Sequence, residues 1–410
     1  MRPMPPRRDP GAEPAPLRGM RVVDFSRVFA GPLCTMTLAD MGADVVKVES
    51  PAGDEARHFG PPWLGGEAMN FMAINRGKRS IVLDLKEDAG RAAALRLCED
   101  ADVVVENFRP GVAERLGIDS VSLEELNSKL VYCSIAGFGR RGPHKDRPAL
   151  DLILQAASGV MFRQGRGGPP TGIVLTIADC FAAQLAVQAI LGALIARGRD
   201  GRGQRVEVSL FEAMLAAQSY RMISAAGDEV ELPASVDVAP YGAFEVADGW
   251  VIIAVVTDRS WHGLCKALDL ADLGADERFA TNSGRAEHQV ELMEEVAAAV
   301  AGIPSADLAA RLEAAGVPCG PINREEDLFF DEDTLANETL VELEHPAAGT
   351  VWQFGLPFAL IRTPLEIRGA APLLGEHTAE VLGELGYGED DIDALVKSGA
   401  AGEPTRVMAG

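Results

Sequence analysis

The chain has 410 residues, 47% of them apolar and 6% aromatic, and a formal net charge of −23 at pH 7. That length exceeds one small core and suits two domains, or one large domain carrying an insertion. The charge argues against nucleic acid or an anionic membrane as partner, but 21 of the 38 Lys and Arg lie in the first 150 residues, so a local cationic site for an anionic ligand is compatible with an acidic whole.

Residues 1–17 are charged and proline-rich with no apolar run, and read as a disordered leader rather than a signal peptide. The run RVVD from Arg21, a turn-like FAGPL, an apolar segment ending at Gly42 and then ADVVKVE read as strand, helix, strand, the start of a parallel α/β unit. The turn RVFAGPLCT lacks three spaced glycines, so a nicotinamide cofactor is not expected despite Glu49 at the end of the second strand. NRGKRSIVLDLK sets Arg76, Lys78 and Arg79 just before a buried-looking strand, where they would meet a phosphate at the sheet edge or form a solvated turn. Arg109 stands at the carboxyl end of the next strand, ADVVVEN. LVYCSI then runs into AGFGRRGPHKDRP, a loop able to bring backbone amides to an anion or to serve as an ordinary surface loop.

ALDLILQAASGVM opens a helix with Asp151 at its start. A longer helix, from about Ile177 to Arg197, is apolar nearly all round, which predicts packing on most sides; Asp179, Gln184 and Gln188 keep it short of a convincing membrane span. Asp179 near its mouth is either an ordinary cap or a carboxylate kept ionised by amides and the helix dipole, as a nucleophile requires. The large α/β domain covers 18–225 and is followed by a linker at 226–242. A small α+β domain at 243–330 opens with a hairpin turning at Ala247, Asp248 and Gly249. Residues 331–402 return to strands and end in a helix starting near Glu376, and 403–410 form a tail. Six scattered cysteines and six isolated histidines suggest neither a disulfide framework nor a metal site. A cytoplasmic location is expected.

Several segments in order, RVVDFSRVFAGPLCTMTLADMGADVVKVE, Gly53-Asp54, NRGKRSIVLDLK, ADVVVENFRPGVAERLG, the GFG-x-x-GP loop, DLILQAASG, GRGQRVEVSLFEA, GVPCGP and PLLGEHTAEVL, closely resemble the class III CoA-transferase family. That family includes formyl-CoA and carnitine CoA-transferases and α-methylacyl-CoA racemases. The resemblance implies a Rossmann-like large domain with a parallel sheet, to which residues 331–402 return, a smaller α+β domain between, and a homodimer of interlocked subunits. It implies coenzyme A and its acyl esters as substrate, with no permanently bound cofactor, and a small carboxylic acid as partner substrate. It also implies an aspartyl anhydride and an aspartyl-CoA thioester on Asp179, with succinyl-CoA a fair first choice of donor. Val28 and Phe29 would line the site, Arg76, Lys78 and Arg79 would lie near the nucleotide end, Asn107 and Phe108 near nucleotide or pantetheine, Arg115 near a phosphate, and Asp151 would be a secondary site residue. Phe29 replaces the glutamine of some transferases, which tilts the acyl group toward something larger or less polar than oxalate or formate. Ser50 replaces an arginine that some members use for the nucleotide. Leu150 stands where racemases carry a histidine base, so the racemase reading, like that of a non-catalytic acyl-CoA-binding protein, is the alternative.

Overall fold

A computed structural model describes residues 14–165, 168–222 and 238–405. Most of the expected leader, linker and tail therefore lie outside the described residues. The chain divides into two compact units, 1–232 with 335–410, and 233–334.

In chain order the large unit begins with β1 (Arg21–Asp24), α1 (Ala30–Asp40), β2 (Asp44–Glu49), the short antiparallel pair β3 (Trp63–Leu64) and β4 (Glu67–Ala68), α2 (Met69–Ala73) and β5 (Arg79–Val82). It continues with α3 (Asp88–Glu99), β6 (Val103–Glu106), α4 (Val112–Leu116), α5 (Ser120–Leu126) and β7 (Val131–Ala136). Then come α6 (Asp151–Ala157), α7 (Val160–Gln164), α8 (Ile177–Asp200), β8 (Gln204–Ser209) and α9 (Leu210–Gln218).

Six of these strands form one parallel sheet in the order β5-β2-β1-β6-β7-β8. The direction of sheet growth reverses between β1 and β6, which is the Rossmann arrangement, and such a reversal leaves a crevice beyond the carboxyl ends of the two strands. Here residues 25–29 after β1 and 107–111 after β6 border it.

The strands are valine-rich because both sheet faces are covered. Val22, Val45, Val103, Val105, Val131 and Cys133 join a core with α1, α8 and α9, whereas Val23, Val46, Val48, Val104 and Tyr132 join one with α3 and the C-terminal helices Thr378–Glu384 and Glu389–Ser398. This alternation is the period of two that side chains follow along a strand. The sequence suggests only the first of those two C-terminal helices.

Helix α8 runs 24 residues and ends at Gly201, whose φ of +76° is the left-handed stop that glycine adopts without a Cβ penalty. Its length and composition would let it cross a membrane. In the fold its stripe of Ala178, Ala182, Ala183, Ala186, Val187, Ile190 and Ala193 is buried against α1, α9 and the sheet. Gln184, Gln188 and Ile195 mark one narrow outward face, while part-buried Phe181, Leu185, Ala189 and Leu194 pack against the same core, so within one chain the helix is covered over most of its circumference.

The small unit contains the antiparallel sheet β11-β10-β9, built from β9 (Tyr241–Val246), β10 (Gly249–Ala254) and β11 (Cys319–Pro321). Helices Asp258–Ala267, Gln289–Val300 and Ser305–Ala314 close its core around Trp261, Phe279 and Leu292. Returning to the large unit, β12 (Leu340–His345) and β13 (Gly349–Phe354) form a hairpin.

Candidate active site

Asp179 occupies the third position of α8 and is not its cap. The capping position is Thr176, whose side chain makes no capping bond. A first-turn amide is served from elsewhere: Ala178 N–H donates to Asp151 Oδ1 at 2.6 Å, so the first residue of α6 caps α8 across 27 positions of sequence. The other Asp151 oxygen accepts Gln155 Nε2 at 2.5 Å. Fully buried Gln155 also binds the backbone leading into α8, donating to Ile173 O at 2.9 Å and accepting from Ile173 N–H at 2.8 Å. The amide of Gln155 thus pins the segment that delivers Asp179. Sequence reasoning passed over it, although a lone glutamine inside DLILQAASG was the available signal.

Burial raises the Asp179 carboxyl from 3.8 to about 6, the charge of Asp151 pushes in the same direction, and the Ala30 backbone amide partly opposes both. The expectation that amides and the helix dipole keep this carboxylate ionised is thus qualified by burial, which shifts it upward. At neutral pH the group is still mostly ionised. It is more basic than an ordinary aspartate and partly withdrawn from water, a combination that favours nucleophilic attack.

Ala30 opens α1, and Phe29 is its capping residue. Val28, just before, has φ +67°, a left-handed backbone that a β-branched residue adopts only when its surroundings hold it there. Its amide donates to Asp54 Oδ1 at 2.9 Å. Across the crevice, Asn107 accepts from Arg27 N–H at 2.8 Å and donates to Arg27 O at 2.7 Å. The Arg27 guanidinium lies 5.3 Å from the Phe108 ring centroid. Val28, Phe29, Asn107 and Phe108 are therefore gathered at the crevice between β1 and β6. Asn107, however, spends both ends of its amide on the Arg27 backbone, a role in shaping the loop. Gly31 leaves no room for a side chain, since a Cβ there would fall 2.2 Å from Ser26 Cβ.

The basic triplet before β5 is a correction. Arg76 is 1% exposed and bound to buried Asp40, to Gln353 and to Phe354 O. Lys78 is 3% exposed and donates to Asp24 Oδ2 at 3.0 Å, Pro32 O at 2.9 Å and Asn75 Oδ1 at 2.7 Å. Arg79 spans Asp44, Glu380 and Glu384. Paired with carboxylates, and in two cases sealed from water, these cations are not presented to the phosphates of a ligand. Burial lowers Lys78 to about 8 against the opposing pull of Asp24. Asp24, which burial alone would raise, is held at about 2 by Lys78 and Lys47. Glu49 likewise is consumed by Arg57 and Ser80. Exposed cations do occur on the loops after β6 and β7 and on α4: Arg109, Arg115, Arg141, Lys145 and Arg147. Arg115 is the one of these assigned to a phosphate by family resemblance.

The model of CoA-transferase family III matches residues 17–378. The chain is 40% identical over 382 residues to the succinate–glutarate CoA-transferase of Agrobacterium fabrum, covering 90% of this chain and 96% of that protein. It is also 40% identical over 387 residues to the succinyl-CoA:mesaconate CoA-transferase of Haloarcula hispanica, covering 91% and 97%. Among solved structures, a CaiB/BaiF family protein from Brucella suis superposes with a TM-score of 0.82 at 37% identity, covering 91% of this chain and 100% of that one. With the match running through the sheet, both aspartates and the crevice loops, the chain belongs to CoA-transferase family III and is a CoA-transferase.

Proposed function

We propose that the protein transfers CoA from succinyl-CoA to a free carboxylic acid, with Asp179 as the covalent nucleophile. The single observation that carries this reading is the half-buried Asp179 carboxylate in the first turn of α8, which burial raises to about 6 and the Ala30 amide partly restores. The donor is supported by the H. hispanica relative, a succinyl-CoA:mesaconate CoA-transferase, and by the A. fabrum relative, a succinate–glutarate CoA-transferase.

The carboxylate attacks the thioester carbonyl, the C–S bond breaks, and CoA leaves as thiolate from a mixed anhydride of Asp179 and succinate. The thiolate then attacks the Asp179 carbonyl of that anhydride, releasing succinate and leaving an aspartyl-CoA thioester. The acceptor carboxylate attacks this thioester, breaking its C–S bond and expelling CoA thiolate to leave a second anhydride; the thiolate then attacks the acceptor's acyl carbon, and the Asp179 carboxylate departs free. A backbone amide such as that of Ala30 is suited to the negative oxygen that develops in these steps. The exposed cations at 109, 115, 141, 145 and 147 are the groups suited to the phosphates of CoA. Phe29 at the crevice favours an acceptor larger or less polar than oxalate or formate. A homodimer is part of this reading, supported by apolar residues of the large unit that one chain leaves exposed: Leu150 (68%), Phe162 (75%), Val174 (99%) and Ile195 (63%).

The test mixes purified protein with succinyl-CoA and a panel of free acids and follows CoA-ester exchange by mass spectrometry. Exchange, together with a hydroxylamine-trapped aspartyl intermediate, is expected in the wild type and absent in Asp179→Ala. Solvent deuterium entering the α-carbon of an acyl-CoA without any acceptor acid would instead establish the racemase reading, for which Leu150 supplies no base.

A further inference from the structure

The β1–α1 loop is clamped from beneath by a fully buried ion pair that the chemistry proposed above does not use. Lys47 on β2 and Asp54 each have side chains 0% exposed, with Nζ and Oδ2 2.8 Å apart. The pair grips the loop at two points. Lys47 Nζ donates to Ser26 O at 2.8 Å, and Asp54 Oδ1 accepts from Val28 N–H at 2.9 Å. The same Oδ1 accepts from Ala56 N–H at 2.9 Å, and Asp54 N–H donates to Glu49 Oε2 at 3.0 Å, so the clamp is itself fixed to β2 and to the turn at Glu55–His58. On the far side of the loop Asp24 accepts from Ser26 N–H at 2.9 Å and from Thr35 Oγ1 at 2.6 Å. Held between these carboxylates, Val28 keeps its left-handed φ of +67°, and two residues later, where α1 packs on α8, stands Ala30, whose amide lowers the proton affinity of Asp179.

A buried ion pair is a poor source of stability, because desolvating both charges cancels much of their attraction and apolar replacements are often as good. What it supplies here is direction. We propose that Asp54, with Lys47, is a positioning residue for Asp179: it locks Val28 in the left-handed conformation so that the Ala30 amide faces the Asp179 carboxylate.

The inference rests on the reading of Asp179 as nucleophile only for its effect on rate; its geometric content is independent of that reading. The other ionisable groups coupled to Asp179 are Asp151 on α6 and Cys180 on α8, and neither touches the clamp. Losing the Ala30 amide therefore acts in one direction, raising the proton affinity of Asp179.

The test follows the Asp179 carboxyl by carbon-13 NMR in aspartate-labelled, unliganded protein, the resonance being assigned by its absence in Asp179→Asn. Asp54→Asn keeps an acceptor for Val28 N–H but discharges the pair. Val28→Pro leaves the pair intact while removing the amide and forbidding positive φ. Both are expected to raise the Asp179 midpoint by about one unit, to move the acidic limb of kcat with it, and to lower kcat on the order of tenfold or more. A role confined to stability would lower the melting temperature and leave the midpoint in place, and an unmoved midpoint in folded Val28→Pro overturns the proposal even if Asp54→Asn fails to fold. If the midpoint moves while Asp179→Asn still exchanges CoA, the positioning stands and the nucleophile assignment is what fails.

Discussion

Replacing Asp179 by Asn should abolish exchange and, at neutral pH, make the protein more stable. The folded chain holds the Asp179 proton up to about pH 6, whereas an ordinary aspartate releases it near 3.8. Between those values the folded state binds more protons than the unfolded one, so stability falls as pH rises through the window. The benefit of the bound proton is complete below about pH 4 and gone above about pH 6, and a shift of this size corresponds to about 3 kcal/mol as an upper bound. Asparagine fills the same space, can still accept from the Ala30 amide, and does not titrate. The stability difference between Asp179→Asn and the wild type should therefore be near its minimum at pH 4, grow through pH 5 and 6, and level off by pH 7. Urea denaturation of both proteins at half-unit pH intervals, followed by circular dichroism, measures it. Parallel pH dependences, or a variant whose advantage shrinks toward neutral pH, would refute an electrostatic cost at this carboxylate.

The cations divide into two classes that mutation separates. Arg76→Ala leaves Asp40 buried without its partner and should cost about 3–5 kcal/mol of stability, whereas Arg115→Ala should leave the melting temperature within about a degree and raise KM for the CoA ester; thermal denaturation and initial rates together decide this. Asp151→Asn removes the like charge from Asp179, so the acidic limb of activity should shift to lower pH. The same change sets an amide NH2 against either Gln155 Nε2 or the Ala178 N–H and should cost about 1–3 kcal/mol, which the same two measurements register.

The parallel sheet was legible because valine runs of strand length alternate with helical segments, and the lack of a glycine fingerprint steered the reading away from a dinucleotide. Asp179 was visible as an isolated acid at the mouth of an apolar helix. Its surroundings were not, since the burial that raises it most, the Asp151 charge that adds to this and the Ala30 amide that tempers both come from the tertiary fold. The triplet Arg76, Lys78, Arg79 looked like a ligand's anchor for a related reason: local sequence shows three cations, and only tertiary pairing shows that Asp40, Asp24 and Asp44 have claimed them. Asp54 and Lys47 stood in plain view, Asp54 in the Gly53-Asp54 pair and Lys47 in the middle of a strand. A lysine between valines invites assignment to a sheet edge until its fold-wide partners are known.

The alanine stripe of α8 also bears on any effort to redirect the enzyme toward new acids. Ala178, Ala182, Ala183 and Ala186 are fully buried and, being small, set how closely the helix carrying Asp179 approaches its neighbours. A methyl group added there would act as a spacer, shifting Asp179 against a fixed amide and degrading every reaction alike. Libraries meant to change substrate scope are better confined to Val28 and Phe29, where the chain meets the crevice, with the stripe kept as an invariant gauge block.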